Sequence, residues 1–186
     1  MLEQPIDHQI GTQKLEMLDY EVVALDQYQR VCAENPYHFE VNAPNTQVKL
    51  EEIRKDPIRL ASAMASFNYP RDEEEFNVFH LLNEHHGFDV GEVANALYSE
   101  DGYNLSAGKL ANVLHKNTLE PLSILAIADV MESSCGLEPE DIAQALVDGC
   151  QSTQEDVDLV LEESCNLDAD DRKEILDSVF GEQIKP

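Results

Sequence analysis

The sequence predicts a mainly α-helical protein. We expect an array or irregular bundle of short helices in the C-terminal two-thirds, and a small helix plus β-hairpin element at the N-terminus. Apolar residues recur at helical spacing from Phe88 onward, and a glycine stands near most of the intervals between them. Apolar residues make up 42% of the 186 residues, which is enough for a core. We divide the chain into a near-neutral region, 1–71, and an acidic helical region, 72–186, which can share one core.

The N-terminal region has sequence signals for two helices and a hairpin. Thr12 is a suitable N-cap for residues at helical spacing, and Asp56 with Pro57 is a favourable helix start. Alternating apolar and polar residues on both sides of an Asn-Ala-Pro-Asn turn are typical of a β-hairpin. We place the helices at 12–34 and 57–67, and the strands over 37–41 and around Val48 and Leu50, with the turn at 42–45.

Segments that begin at Phe88, Leu105 and Leu137 share one pattern. In each, an apolar residue stands five positions on, Ala follows it, and Leu stands nine positions on. Positions five and nine share a helix face, and the Ala between them permits close helix approach. Looser copies begin at Leu119, Ser152 and Leu167, so the starts are 17, 14, 18, 15 and 15 residues apart. Such short helices must stack on neighbours, as a superhelix or an irregular bundle.

The intervals between these segments carry the turn and cysteine signals. We assign the turns to four glycines: Gly87, Gly102, Gly136 and Gly149. Three cysteines stand two positions before a segment start: Cys135, Cys150 and Cys165. With Cys32 they form no C-x-x-C pair, so we expect free thiols in a reducing compartment and no metal framework.

The charge is strongly negative and unevenly distributed. The chain has 38 acidic and 12 basic residues, a net charge of −26. Residues 1–71 carry a net charge of −4 and residues 72–186 a net charge of −22, and no Lys or Arg stands between Lys116 and Arg172. Helix caps explain some of these acids, but the central stretch has no cation to pair with the rest. Such a charge repels nucleic acid and anionic membranes and attracts basic proteins.

Catalytic signatures are scarce. The chain has no phosphate loop, no dinucleotide-binding glycine motif and no nucleophile elbow. His80 and Glu84 share a helix face and, with His85 and His86, are the one metal-ligand candidate. A polar helix end explains them better than a metal site does, because a histidine near a helix C-terminus is favoured by the dipole. We therefore expect no enzyme activity and no cofactor.

These observations together predict an acidic, non-enzymatic binding protein. We expect it to inhibit or sequester a basic, nucleic-acid-binding partner, such as a nuclease, as a DNA or RNA mimic of the anti-restriction or anti-CRISPR type. The binding carboxylates would be Glu138, Glu140, Asp141, Asp148, Glu155, Asp156, Asp158, Glu162 and Glu163.

Three other functions fit the sequence. One is an immunity protein or antitoxin against a cationic toxin, with Tyr98, Tyr103 or Phe180 as the apolar anchor. The second is a helical adaptor, and the third a metal-dependent enzyme using His80 and Glu84. No apolar run approaches the ~18 residues of a membrane span, and the start lacks the features of a signal peptide, so we expect a cytoplasmic protein.

Overall fold

A computed structural model describes residues 6–10, 13–17, 21, 24, 46–66, 78–116 and 122–181. The chain divides into two compact units. The N-terminal unit comprises residues 1–88 and 100–103, and the C-terminal unit comprises residues 89–99 and 104–186. No helix among the described residues is long and apolar enough to cross a bilayer.

The N-terminal unit combines a short hairpin with helices. Strands β1 and β2 pair antiparallel, with Ile6 opposite Met17 and Ile10 opposite Gln13. Asp56 caps the second helix, since the Arg59 amide donates to Asp56 Oδ1 at 3.0 Å, and this confirms the predicted start. The elements are β1 (Ile6–Ile10), β2 (Gln13–Met17), α1 (Thr46–Ile53), α2 (Pro57–Ser66) and a π-helical turn (Leu81–His85) that continues helical residues 78–80.

Two predictions for this unit are wrong. Residues 13–17 form a strand and not the start of a helix, although Glu21 and Ala24 are helical. The second predicted hairpin strand is helix α1, whose Leu50 and Ile53 lie three apart on one buried face. The first predicted strand and its turn, 37–45, lie outside the described residues.

The C-terminal unit is helical in its described part, as the sequence predicts. Six helices follow one another with short connections. They are α3 (Val90–Tyr98), α4 (Ala107–His115), α5 (Ile124–Cys135), α6 (Pro139–Cys150), α7 (Gln154–Glu163) and α8 (Ala169–Gly181).

The repeated pattern accounts for where these helices begin and what they bury. Each helix starts two residues after the first residue of its repeat, and the residue in between occupies the N-cap position. The predicted anchors at positions five and nine are fully buried in four repeats: Val93 and Leu97, Leu110 and Leu114, Ile142 and Leu146, Val157 and Leu161. The small residue at position six (Ala94, Ala111, Ala143) is also fully buried. The prediction of a stacked helical core is therefore confirmed.

The repeat that contains α5 is in a different register from the predicted one. It begins at Leu122 and not at Leu119, because Ser123 is the N-cap and accepts from the Ala126 amide at 3.2 Å. Positions five and nine are then Ile127 and Met131, both fully buried. With this correction the repeats start 17, 17, 15, 15 and 15 residues apart, a more regular series than the sequence suggests.

A backbone hydrogen bond joins successive repeats. The amide of a repeat's first residue donates to the carbonyl at position nine of the repeat before it. The pairs are Leu105 to Leu97 (2.8 Å), Leu137 to Met131 (3.2 Å), Ser152 to Leu146 (3.2 Å) and Leu167 to Leu161 (3.0 Å). In the last three the two residues are six apart.

The residue before each of these starts has a positive φ. It is Gly136 (67°), Gln151 (57°), Asn166 (53°) and Asn104 (62°). Gly136 adopts this conformation without the steric cost that a side chain brings. Gly102 lies in a turn, as predicted, whereas the predicted turn at Gly149 is wrong because that residue lies inside a helix. Asn104 and Gln151 take the left-handed positions before Leu105 and Ser152.

Gly149 lies inside α6 and serves packing instead. The helices of the C-terminal unit contact both the next helix and the one after it, and the closest pairs are α4 with α6 and α3 with α5. A methyl group on Gly149 would collide with the carbonyl oxygen of Gly108 and would lie 2.9 Å from the Ala111 methyl. The α4–α6 crossing therefore depends on the absence of a side chain at position 149.

Candidate partner-binding surface

The nine predicted carboxylates lie on α6, on α7 and at the N-cap of α6. All but Asp156 and Asp158 are exposed, and these two are half-exposed. The structure thus brings the nine residues onto two consecutive helices of one unit. It also adds neighbours on α8 that the prediction omitted, namely Asp168, Asp170, Asp171, Glu174 and Asp177.

Arg172 neutralises part of this surface, contrary to the expectation that no cation would pair with the central acids. Its Nε atom donates to Asp158 Oδ1 at 2.8 Å, and its Nη2 atom lies 3.6 Å from Glu162 Oε2. The guanidinium also donates to the carbonyl of Leu167 at 3.2 Å. Arg172 stands at position five of the last repeat, where the other repeats bury an apolar anchor. In this repeat an ion pair to α7 takes the place of that anchor.

Some of the acids stabilise their own helices. Thr153 and Asp156 form the predicted capping box at the start of α7, with the Asp156 amide donating to Thr153 Oγ1 at 3.2 Å and the Thr153 amide donating to Asp156 Oδ2 at 2.9 Å. The Thr153 amide, and then the Thr153 hydroxyl that donates to Asp156 Oδ2 at 2.8 Å, lower the pKa of Asp156. Asp89 and Glu92 form the predicted box of α3, and Asp168 accepts from the Asp170 and Asp171 amides.

Asp148 is late in its own helix, where the dipole disfavours it, but it lies beside another helix start. Its Cβ and Oδ2 atoms lie 3.0 and 3.9 Å from where a Cβ of Gly108 would stand. Gly108 belongs to the first turn of α4, whose dipole end is positive. The Gln144 side-chain amide also donates to Asp148 at 3.0 Å. The placement of this acid follows from the α4–α6 crossing and has no signal in the sequence.

Four acidic residues of this surface line a small groove between α6 and α8. It has a volume of about 240 Å³ and an apolar floor formed by Pro139, Leu167 and Ile175. No basic residue lines it among the described residues. Its charged lining consists of Glu138, Glu140, Asp171 and Glu174.

The histidine segment does not assemble a metal centre in the described part of the chain. His80 Nδ1 lies 2.8 Å from Glu84 Oε1, so the two share a face as predicted but contact each other. Among the residues that the structure describes, no group of three or more His, Cys, Asp or Glu side chains could hold a metal ion. The segment is partly π-helical and not an ordinary α-helix end.

Sequence reasoning missed a buried ion pair in the N-terminal unit. Glu21 is fully buried, and Arg54 donates to both of its carboxylate oxygens, at 2.6 and 2.9 Å. Burial lowers the pKa of His86 to about 4; the charges of His85 and Arg54 act in the same direction, and that of Glu21 opposes it. Residues 33 positions apart with no shared motif give no sequence signal for such a pair.

The aromatic anchors suggested for an immunity protein are all half-buried. Tyr98, at the end of α3, lines a larger groove of about 800 Å³ along α4 and α6. Tyr103 belongs to the N-terminal unit and Phe180 to the last helix.

No protein-family model, curated protein or solved structure matches this chain.

Proposed function

We propose that the protein is an acidic, non-enzymatic binding protein that sequesters or inhibits a basic, nucleic-acid-binding partner, as a mimic of the nucleic-acid backbone. One observation carries the proposal. Residues 122–181 contain 16 acidic residues and only two basic ones, and the side chains of most of these acids are exposed. One of the two bases, Arg172, is already held by Asp158 and Glu162.

Rigidity supports this proposal. The carboxylates stand on helices whose anchors are fully buried, and a capping box fixes the start of α7, so little conformational entropy is lost when a partner orders them. The side chains of five acids take part in no hydrogen bond or ion pair with another described residue, namely Glu138, Glu140, Asp141, Glu155 and Glu163. They remain available to basic side chains.

The α6–α8 groove suits one such side chain. A lysine or arginine can lay its aliphatic stem on Leu167 and Ile175 while its charged head reaches the carboxylates of Glu138 and Asp171. The groove would then supply a fixed contact within an otherwise diffuse electrostatic attraction. Such attraction gives rapid association that weakens with salt.

The test is affinity capture of basic nucleic-acid-binding proteins from host lysate, at about 50 and about 200 mM salt. We compare the wild type with the triple variant Glu138→Gln, Glu140→Gln and Glu163→Gln. The matched control is Asp129→Asn, Glu132→Gln and Asp177→Asn, which removes the same charge from exposed positions outside the nine-residue set. Circular dichroism verifies that both variants are folded.

We expect retention at the lower salt concentration, loss at the higher one, and a larger loss in the first variant than in the control. Equal losses in the two variants would show that net charge alone is responsible and would contradict the assigned surface. Retention of neutral or acidic proteins only would refute the proposal as a whole. An abrupt loss with Tyr98→Ala alone would instead favour the immunity-protein function, because a mimic fails gradually and a hot spot fails sharply.

A further inference from the structure

The larger groove of the C-terminal unit has two walls of opposite charge. Its volume is about 800 Å³, and α4 and α6 supply most of its lining. The α4 wall carries Lys109 and Lys116, and α4 itself contains no acidic residue. The α6 wall carries Asp141 and Asp148. Two of the few cations in this acidic unit thus line the same groove.

The two walls repeat one spacing. On α4 the order is Lys109, Asn112, Lys116, and on α6 it is Asp141, Gln144, Asp148. In both, an amide follows the first charge by three residues and the second charge follows by seven, so each row runs along one helix face for about 10 Å. The charges are therefore distributed along two helical turns and do not converge on a point.

Each wall has one charged side chain without an ionic partner. Lys116 and Asp141 line the same groove, and the side chain of neither makes a hydrogen bond or an ion pair with another described residue. Between the walls the lining is small, with Ala107, Gly108 and Ala145.

From this charge complementarity we propose that the groove is a docking site for an α-helix of a partner, with acidic residues along one flank and basic residues along the other. The acidic flank lies against Lys109 and Lys116, and the basic flank lies against Asp141 and Asp148. A helix fits because side chains seven residues apart lie on one face of it, and the charges on each wall have the same seven-residue spacing. Binding of a helix in a groove is also a common mode of recognition. This inference goes beyond the proposed function and does not need nucleic-acid mimicry.

The test uses the whole chain and a synthetic probe, an alanine-based helical peptide with glutamates along one flank and lysines along the other at seven-residue spacing. Binding is followed by NMR through the side-chain amide signals of Asn112 and Gln144, which line the groove. The variant is Lys116→Glu. The matched control is Lys173→Glu, the same charge change at an exposed position of α8 outside the groove. A second peptide with lysines on both flanks measures general attraction to the acidic surface.

We expect the mixed peptide to move both amide signals and its affinity to fall roughly three- to tenfold in Lys116→Glu but not in Lys173→Glu. The all-lysine peptide should bind Lys116→Glu more tightly than the wild type, which separates this site from the proposed mimicry. The inference is overturned if the all-lysine peptide moves the two amides more strongly than the mixed one. It is also overturned if free lysine or a Glu-Lys dipeptide moves them equally, or if sedimentation shows a dimer that Lys116→Glu dissociates.

Discussion

Gly149→Ala should destabilise the C-terminal unit, although alanine is the better helix former. Its new methyl group would meet the Gly108 carbonyl oxygen, with the Ala111 methyl and the Asn112 nitrogen each 2.9 Å away. Two of these three atoms are backbone, so relief requires the helices α4 and α6 to separate. Overpacking of this kind costs about 1–3 kcal/mol. Backbone atoms cannot rotate away, so we expect the upper half of that range, about 2–3 kcal/mol. Replacing glycine in a helix returns about 1 kcal/mol, which leaves a net loss of about 1–2 kcal/mol.

The assay is urea unfolding followed by circular dichroism, with Gly181→Ala as the control. Gly181 ends α8 and has no atom within 4 Å of the position where its Cβ would stand, so its substitution should be neutral or slightly stabilising. For a chain of this length the Gly149 variant should melt about 2–8 °C lower. A Gly149→Ala protein as stable as the wild type, with an unchanged m-value, would refute the close α4–α6 crossing.

Three further predictions concern titrating and capping groups. Thr153→Ala removes the two hydrogen bonds of the Thr153 hydroxyl and keeps the Thr153 amide as a donor to Asp156, and it should cost about 1 kcal/mol in urea unfolding; the pKa of Asp156, followed by NMR, should rise part of the way toward its ordinary value, and an unchanged pKa would contradict the contribution of the hydroxyl. Burial raises the pKa of Cys135 and of Cys150 to about 11. Both thiols should therefore react slowly with an alkylating reagent at neutral pH and faster as the pH approaches 11. Rapid alkylation of the folded protein at pH 7 would be inconsistent with their burial. Because the pKa of His86 is lowered in the folded protein, the stability that its neutral ring provides is fully present above pH 6.5, the ordinary pKa of histidine. That stability is lost as the pH falls toward 4, and an NMR titration of the ring that gives an ordinary pKa would exclude this.

The helical core could be predicted because its signal is local. Val93 with Leu97 and Ile142 with Leu146 stand four apart, and a four-residue spacing places side chains on one helix face whatever the tertiary structure. All four are fully buried. The register of α5 was harder, because apolar residues at 119, 122, 124, 125 and 127 are compatible with two starting points. The cap at Ser123 decides between them.

The errors arose where tertiary contacts decide the local structure. Gly149 resembles a turn residue in sequence, but the neighbouring helix α4 requires the absence of a side chain there. Leu50 fits an alternating strand pattern, and only its burial together with Ile53 shows the helical face. The pairing of Arg172 with Asp158 spans 14 residues and follows from the packing of α8 against α7. No single-sequence pattern contains that information.

The hydrogen bonds between successive repeats have a kinetic consequence. Leu137 with Met131, Ser152 with Leu146 and Leu167 with Leu161 are each only six residues apart, and helices of this unit pack on the next one or the one after. Loops that close over such short distances lose little entropy, so the unit should fold quickly for its size. Opening should proceed repeat by repeat from the end, with amides of α8 exchanging with solvent before those of α4 and α5.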